Sequence, residues 1–502
     1  MSALDQLAAL KNVFGSEPER RVAKLLEQLR STRLRDPEKL ILLHETALFL
    51  RAYPHSPRVL RLADQILFQY PERLRGVDPA PFEAAEVSGI AGSAISTNYS
   101  HSFARFLSLR HGKNLKIDWE NYSHPDRLGP VLARLAPLAA EDWTVEPHID
   151  WERWFTALRG DLRWLIENVD SWTYDSLELL LLFQIDERTS RSHARLSRPE
   201  VFYQKQPLLK RRDVSLETEL ASPKIPTRRL QGKEAKRVLD LTIDTSAIRY
   251  RELWGFSYPD LKHVYHVDLG RGVDLYWLGI PPAARLPLRA YHGGIFFKNG
   301  VPLGYIETLS FFDRMEVGFN LYYTFREGES AWLYARFLKF CQQECGVTCF
   351  SIDPYQVGHE NEEAVESGAF WFYRKLGFCS ASLEIQAEVE REEKKLKADP
   401  EYRTSPATLR RLAKAPMLYG SSLEDWRGFS LRGFAQKIGR GEAWPAIVRR
   451  VPSETTAEAI LSKKNAPEEI GYLRLLQRSP KLRRGILRLG QSARAAAAPQ
   501  RK

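Results

Sequence analysis

Residues 290–325 read AYHGGIFFKNGVPLGYIETLSFFDRMEVGFNLYYTF. Two apolar runs, AYHGGIFF and VPLGYIETLSFF, flank Lys298, Asn299 and Gly300. Asn-Gly between apolar strands predicts a tight hairpin, because both residues tolerate positive φ. A second turn at Asp313 and Arg314 leads into MEVGFNLYYTF (315–325), which completes an antiparallel three-strand meander. The segment REGESAWLYARFLKFCQQECG follows, with Leu333, Phe337 and Phe340 at helical spacing. A strand (TCFSIDPYQVG), a helix (NEEAVESGAFWFYRKLGF) and a last strand (CSASLEIQAEV) give the order β-β-β-α-β-α-β.

The second helix ends in ESGAFWFYRKLGF (366–378). Gly377 can take the left-handed conformation that ends a helix, with Leu376 and Phe378 buried on either side of the turn. The element order and this ending resemble the GNAT acyltransferase superfamily over about residues 290–385, with a start near 235. Members carry an Ala and then Leu-Tyr-x-Lys-Leu-Gly-Phe. Ala369, Phe372, Tyr373, Lys375, Leu376, Gly377 and Phe378 fall on those places.

The resemblance implies transfer of an acyl group from a coenzyme A thioester, acetyl-CoA or another acyl-CoA, to an amine. No metal is expected. It implies that Phe370, Trp371 and Phe372 wall the thioester channel and that Tyr373 protonates the leaving thiolate. A phenol with a pKa near ~10 is protonated at neutral pH and can act as an acid. The other reading of Tyr373 is an aromatic packer. Glu307 and Glu316, on adjacent meander strands, are the candidate bases, with His292 a further one. Tyr323, Arg326, Gly328, Ser330 and Ala331 mark the loop and helix start where the family holds the donor's phosphates. In FREGESA, Phe325 replaces the family's Gln or Arg, and Glu327 and Glu329 add negative charge. Glu366 takes the family's Asn place, with Asn361 five residues earlier. These departures leave room for an acyl or aminoacyl carrier as donor, or for a non-catalytic GNAT-like module whose helical domain binds protein or nucleic acid.

The wider chain of 502 residues is long enough for two or three domains. Its 43% hydrophobic residues exclude wholesale disorder. The start MSALDQLAALKNVFGSEPERR has no signal-peptide pattern, and LELLLLFQI (177–185) is too short to span a bilayer. Four cysteines predict a reducing, cytoplasmic setting. Buried packing is expected for Cys341, Cys345 and Cys349. HVYHVD (263–268) is expected to be structural, since two His need further ligands to hold zinc.

The fold class expected is α+β. A helical domain (1–205), where LILLHETALFLRAYP and RVLRLADQILFQYP each end at Tyr-Pro, precedes a linker (206–234). The GNAT-like domain (235–385) is followed by a helical extension (386–474) and a basic, disordered tail (475–502). The small-residue run VSGIAGSAISTNYS is expected to be a turn or a packed helix start. From Ile470 onward there are nine Lys or Arg and no acid, so the +11 charge lies mostly in the tail. Weak contact with nucleic acid or an anionic surface is the only partner the tail suggests besides donor and amine acceptor.

Overall fold

The computed structural model describes residues 1–136, 150–157, 161–431, 434 and 466–490. A small sheet of strands β1 (Ala94–Asn98), β2 (Leu115–Ile117) and β3 (Leu180–Gln184) has the order β1-β3-β2. The large sheet contains β4 (Thr227–Arg229), β5 (Val264–Gly270), β6 (Val273–Gly279), β7 (Ala290–Lys298), β8 (Val301–Phe311), β9 (Arg314–Leu321), β10 (Cys349–Ile352), β11 (Cys379–Ser380) and β12 (Met417–Gly420). Its order is β11-β12-β10-β9-β8-β7-β6-β5-β4. The architecture is therefore mixed α/β, compatible with α+β.

The β7–β8–β9 meander forms as the turn residues dictate. Asn299 and Gly300 both have positive φ, at 51° and 79°, and Lys298 pairs with Val301. Antiparallel pairing continues outward through β6, β5 and β4. After β9 the chain crosses through helix Ser330–Cys345 and returns as β10, parallel to β9. That helix covers one sheet face, setting Phe337 edge-on to Phe296, Phe340 to Trp277 and Tyr334 to Phe319. Phe337, Leu338 and Phe340 are fully buried, each worth roughly 1.5–3 kcal/mol of transfer. Cys341, Cys345 and Cys349 are free and buried in the same layer.

Several expected boundaries move. The segment 1–205 is not helical throughout: AISTN and LLLFQ are β1 and β3. Along β3, Leu181 and Phe183 are buried while Leu180, Leu182 and Gln184 are not, a period of two that a greasy run of leucines conceals. Pro54 does follow a helix end, but Pro71 lies inside a new helical turn, Tyr70–Arg73. Helices Ser16–Ser31, Pro37–Ala52 and Pro57–Phe68 share one core with the large sheet. The β1–β3 lobe has its own core, which joins helix Gly232–Ala247 and lies on Leu278, Ile295 and Phe297 of the opposite sheet face.

The 206–234 segment is docked rather than a free linker: Leu216, Ile225 and Leu230 are buried, and Thr227–Arg229 extends the sheet. The last strand is only Cys379–Ser380, because Ser382 caps helix Leu383–Ala398. The extension supplies β12, inserted between β10 and β11.

Part of the tail is likewise ordered. Helices Glu469–Gln477 and Pro480–Gly490 bury Tyr472, Leu473, Leu476, Leu482 and Ile486. Glu469 pairs with Arg285 at 2.6 Å and accepts the Tyr291 N–H at 2.8 Å. Arg483 donates twice to Asp313, at the β8–β9 turn. Residues 491–502 of the expected tail lie outside the described residues. Among the described residues, no helix is long and apolar enough to cross a membrane.

Candidate functional site

β9 and β10 pair only through Arg314–Glu316, yet β9 runs on to Leu321. Beyond Ser351 the β10 chain turns away into helix Pro354–Val357, capped by Asp353. The parting leaves a cleft of about 450 Å³, floored by the same sheet face that carries the β1–β3 lobe. Its floor is Tyr305, Glu307, Gly318 and Asn320; its far wall is Tyr355, Gln356, Phe372 and Tyr373. Cross-strand register puts the floor residues on one face: Glu307 opposes Gly318 and Tyr305 opposes Asn320. At Gly318 an added Cβ would lie 3.2 Å from the Gln356 amide nitrogen, so this floor position has no room to spare.

Glu307 is held by the Tyr291 hydroxyl, which donates to its Oε1 at 2.6 Å. Oε2 has no hydrogen-bond partner among the described residues. Burial pushes its carboxyl above the usual carboxylate range, and the Tyr291 bond opposes that only in part. The aimed pair depends on a β-bulge. The tight turn alone pairs Lys298 with Val301, a register that would set Glu307 opposite His292. The shift between Phe296 and Phe297 sets it opposite Gly293 instead, on the face of Tyr291.

His292 points to the other face by the alternation of β7, stacked on Trp277 with centroids 4.1 Å apart. Neither ring nitrogen has a partner among the described residues, and burial pushes its pKa down to about 3. It is a neutral core residue.

Tyr373 sits in the short helix Ala369–Lys375, which follows Gly368 at φ 68° and ends before Gly377 at φ 103°. Its ring lies edge-on to Tyr334 and Phe378. Its hydroxyl has no hydrogen-bond partner among the described residues, and burial raises its pKa. It lines the cleft, as Phe372 does. Phe370 goes into the core and Trp371 turns away, its indole N–H donating to Thr404. Neither is among the residues lining the cleft.

The remaining expected residues scatter. Glu316 lies outside the cleft and faces Arg289 at 3.6 Å. Arg326 and Ser330 line the cleft, with Arg326 paired to Glu363 at 2.6 Å and stacked on Tyr323 at 3.8 Å. Ala331 is buried. Gly328 is packed beneath the N-terminal helices, where an added Cβ would lie 2.6 Å from the Tyr53 hydroxyl. Glu327 pairs with Lys11 at 3.1 Å. Glu329 is buried and bound by Arg271, by the Leu209 N–H at 3.1 Å and by Lys298 at 3.7 Å. Asn361 caps helix Glu362–Glu366, accepting from the Ala364 N–H.

The histidines of HVYHVD are paired with carboxylates, His263 with Asp260 and His266 with Asp274. No cluster of metal-ligating side chains occurs among the described residues.

Sequence reasoning missed Tyr291, Tyr355 and Gln356. Tyr291 was reachable only by anticipating the bulge, and the other two depend on where β10 ends. Comparison with protein-family models, curated proteins and solved structures finds no match to this chain.

Proposed function

We propose that this chain is an N-acyltransferase of GNAT type, using an activated acyl thioester and an amine acceptor. The observation that carries the reading is that a partnered, proton-hungry carboxylate, Glu307, and an unpartnered phenol, Tyr373, line one cleft beside parted parallel strands. In this reading the acyl chain and thioester enter where β9 and β10 separate. The amine attacks the carbonyl carbon, a C–N bond forms and the C–S bond breaks. Glu307 takes the amine proton. The departing sulfur takes the Tyr373 proton, which solvent restores. A carboxylate raised by burial is a stronger base than a free one, and a phenol raised by burial stays protonated until needed.

A carrier-bound donor fits the cleft better than free coenzyme A. Gly328 is enclosed by Tyr53, and Glu329 brings a carboxylate to the start of helix Ser330–Cys345. The loop that would hold a pyrophosphate is thereby filled with the protein's own groups, leaving Arg326 and Ser330 at the cleft as the donor contacts.

The test is incubation of the full chain with acyl-coenzyme A and acyl-carrier thioesters plus a mixed amine pool, following released thiol. Thiol release that needs amine and falls in Tyr373→Phe is expected. Absence of thiol release and of any thermal stabilisation across both donor classes would overturn the proposal.

A further inference from the structure

The floor of the cleft continues past Tyr305, Asn320 and Leu321 into a niche between the meander and the chain leaving helix Gly232–Ala247. Arg249 lines that niche while only 4% exposed. A guanidinium so buried ordinarily has a carboxylate beside it, since desolvating an unpaired charge is expensive. Arg249 has none within ion-pair distance among the described residues. It stacks on the Tyr322 ring at 3.9 Å, makes one long bond to the Thr245 carbonyl at 3.4 Å, and leaves its Nε without a partner. Glu45, the carboxylate whose charge reaches it, is already committed to Arg191 and the Thr324 hydroxyl.

Arg251 lines the same niche, half-buried and with no side-chain hydrogen bond or ion pair among the described residues. Glu86 stands exposed at the rim. The arrangement therefore brings two cations, short of anions, to the end of the cleft.

We infer that Arg249 and Arg251 bind a carboxylate of the amine acceptor, so that the acceptor class is amino acids or peptides with a free carboxyl group close to the amine. The inference rests on the acyltransferase reading for the word acceptor, but not for the binding itself. The niche is small, about 20 Å³, which suits a compact carboxylate end better than a bulkier phosphoester. A planar guanidinium fork matches a planar carboxylate. Asn320 joins the two chambers: its amide donates to the Tyr305 hydroxyl at 3.1 Å, which fixes the side chain at their boundary.

Calorimetric titration of the full chain with free amino acids, the matching amino-acid amides and phosphoethanolamine tests this. The acids are expected to bind at least about tenfold more tightly than the amides, because only they satisfy the buried donors. Arg251→Gln and Arg249→Lys should each erase the difference; the wild-type comparison stands even if a variant fails to fold. Equal binding of acid and amide, no binding by any acid, or binding of phosphoethanolamine as tight as that of the acids would overturn the inference. A chain that binds the acids but releases no thiol from any donor retires the acyltransferase reading alone. One that acylates acids and amides equally retires this inference alone.

Discussion

Ile486→Ala tests whether the basic C-terminus is part of the fold. Ile486 is fully buried in helix Pro480–Gly490, in the core shared with Leu476 and Leu482. The substitution removes three carbons, which at about 0.8 kcal/mol each gives roughly 2.4 kcal/mol of lost transfer energy. The cavity left behind raises the cost to about 2.5–4 kcal/mol. Arg483→Ala should cost about 1–3 kcal/mol by a different route, since Asp313 keeps its place at the β8–β9 turn but loses both guanidinium bonds. Arg488 is exposed, and Arg488→Ala should stay within about 0.5 kcal/mol of the parent. Urea unfolding of the full chain at 25 °C, followed by tryptophan fluorescence, reads all three, and Trp426 lies directly beneath Arg483. An Ile486→Ala midpoint indistinguishable from that of Arg488→Ala would refute the docking. The exposed cations that remain, Lys481, Arg484 and Arg488, are then the only part of that helix free for an anionic partner.

Tyr373→Phe keeps the ring that packs on Tyr334 and removes the acid; thiol release should fall by about 10²–10⁴ with donor affinity little changed. Unchanged turnover would make Tyr373 a packing residue. Glu307→Gln should remove the rise of kcat/KM with pH, whose inflection in the parent lies above the ordinary carboxylate range because burial raises Glu307; a parent profile flat through the acid range would count against Glu307 as the base. Stability should fall with acid: burial holds His44 near about 4 and His292 near about 3, below their unfolded values near ~6.5. Both are neutral in the fold, so their contribution is intact above that unfolded value and drains as pH falls toward the folded ones. The loss approaches roughly 1.4 kcal/mol per pH unit for each histidine. Urea midpoints that do not move between about pH 7 and about pH 5 would contradict it. Gly328→Ala should destabilise by about 1–3 kcal/mol through its clash with Tyr53, and Tyr53→Phe in the same chain should recover part of that loss if the hydroxyl is the obstacle.

The sequence by itself determined the local geometry. Asn299-Gly300 fixed the hairpin, the helical spacing of Leu333, Phe337 and Phe340 fixed the covering helix, and Gly377 fixed the end of the Tyr373 helix. Each depends on backbone preferences or a periodicity confined to a few neighbours. The tertiary structure decided what those elements meet. A one-residue bulge on β8 sent Glu307 to Tyr291 rather than to the face of His292, and such a shift reverses every β8 side chain beyond it. Tyr53, at the end of helix Pro37–Ala52, packs onto Gly328 and fills the loop before helix Ser330–Cys345, a contact between residues nearly three hundred positions apart. Charge alone places the tail in solvent, but its apolar stripe at Leu482 and Ile486 packs in the core and Arg483 pairs with Asp313. Composition records how many charges a segment carries. Only the assembled fold shows which of them are ion-paired, and Arg249 and Arg251 near Asn320, without an ion pair among the described residues, have no signature in the linear sequence.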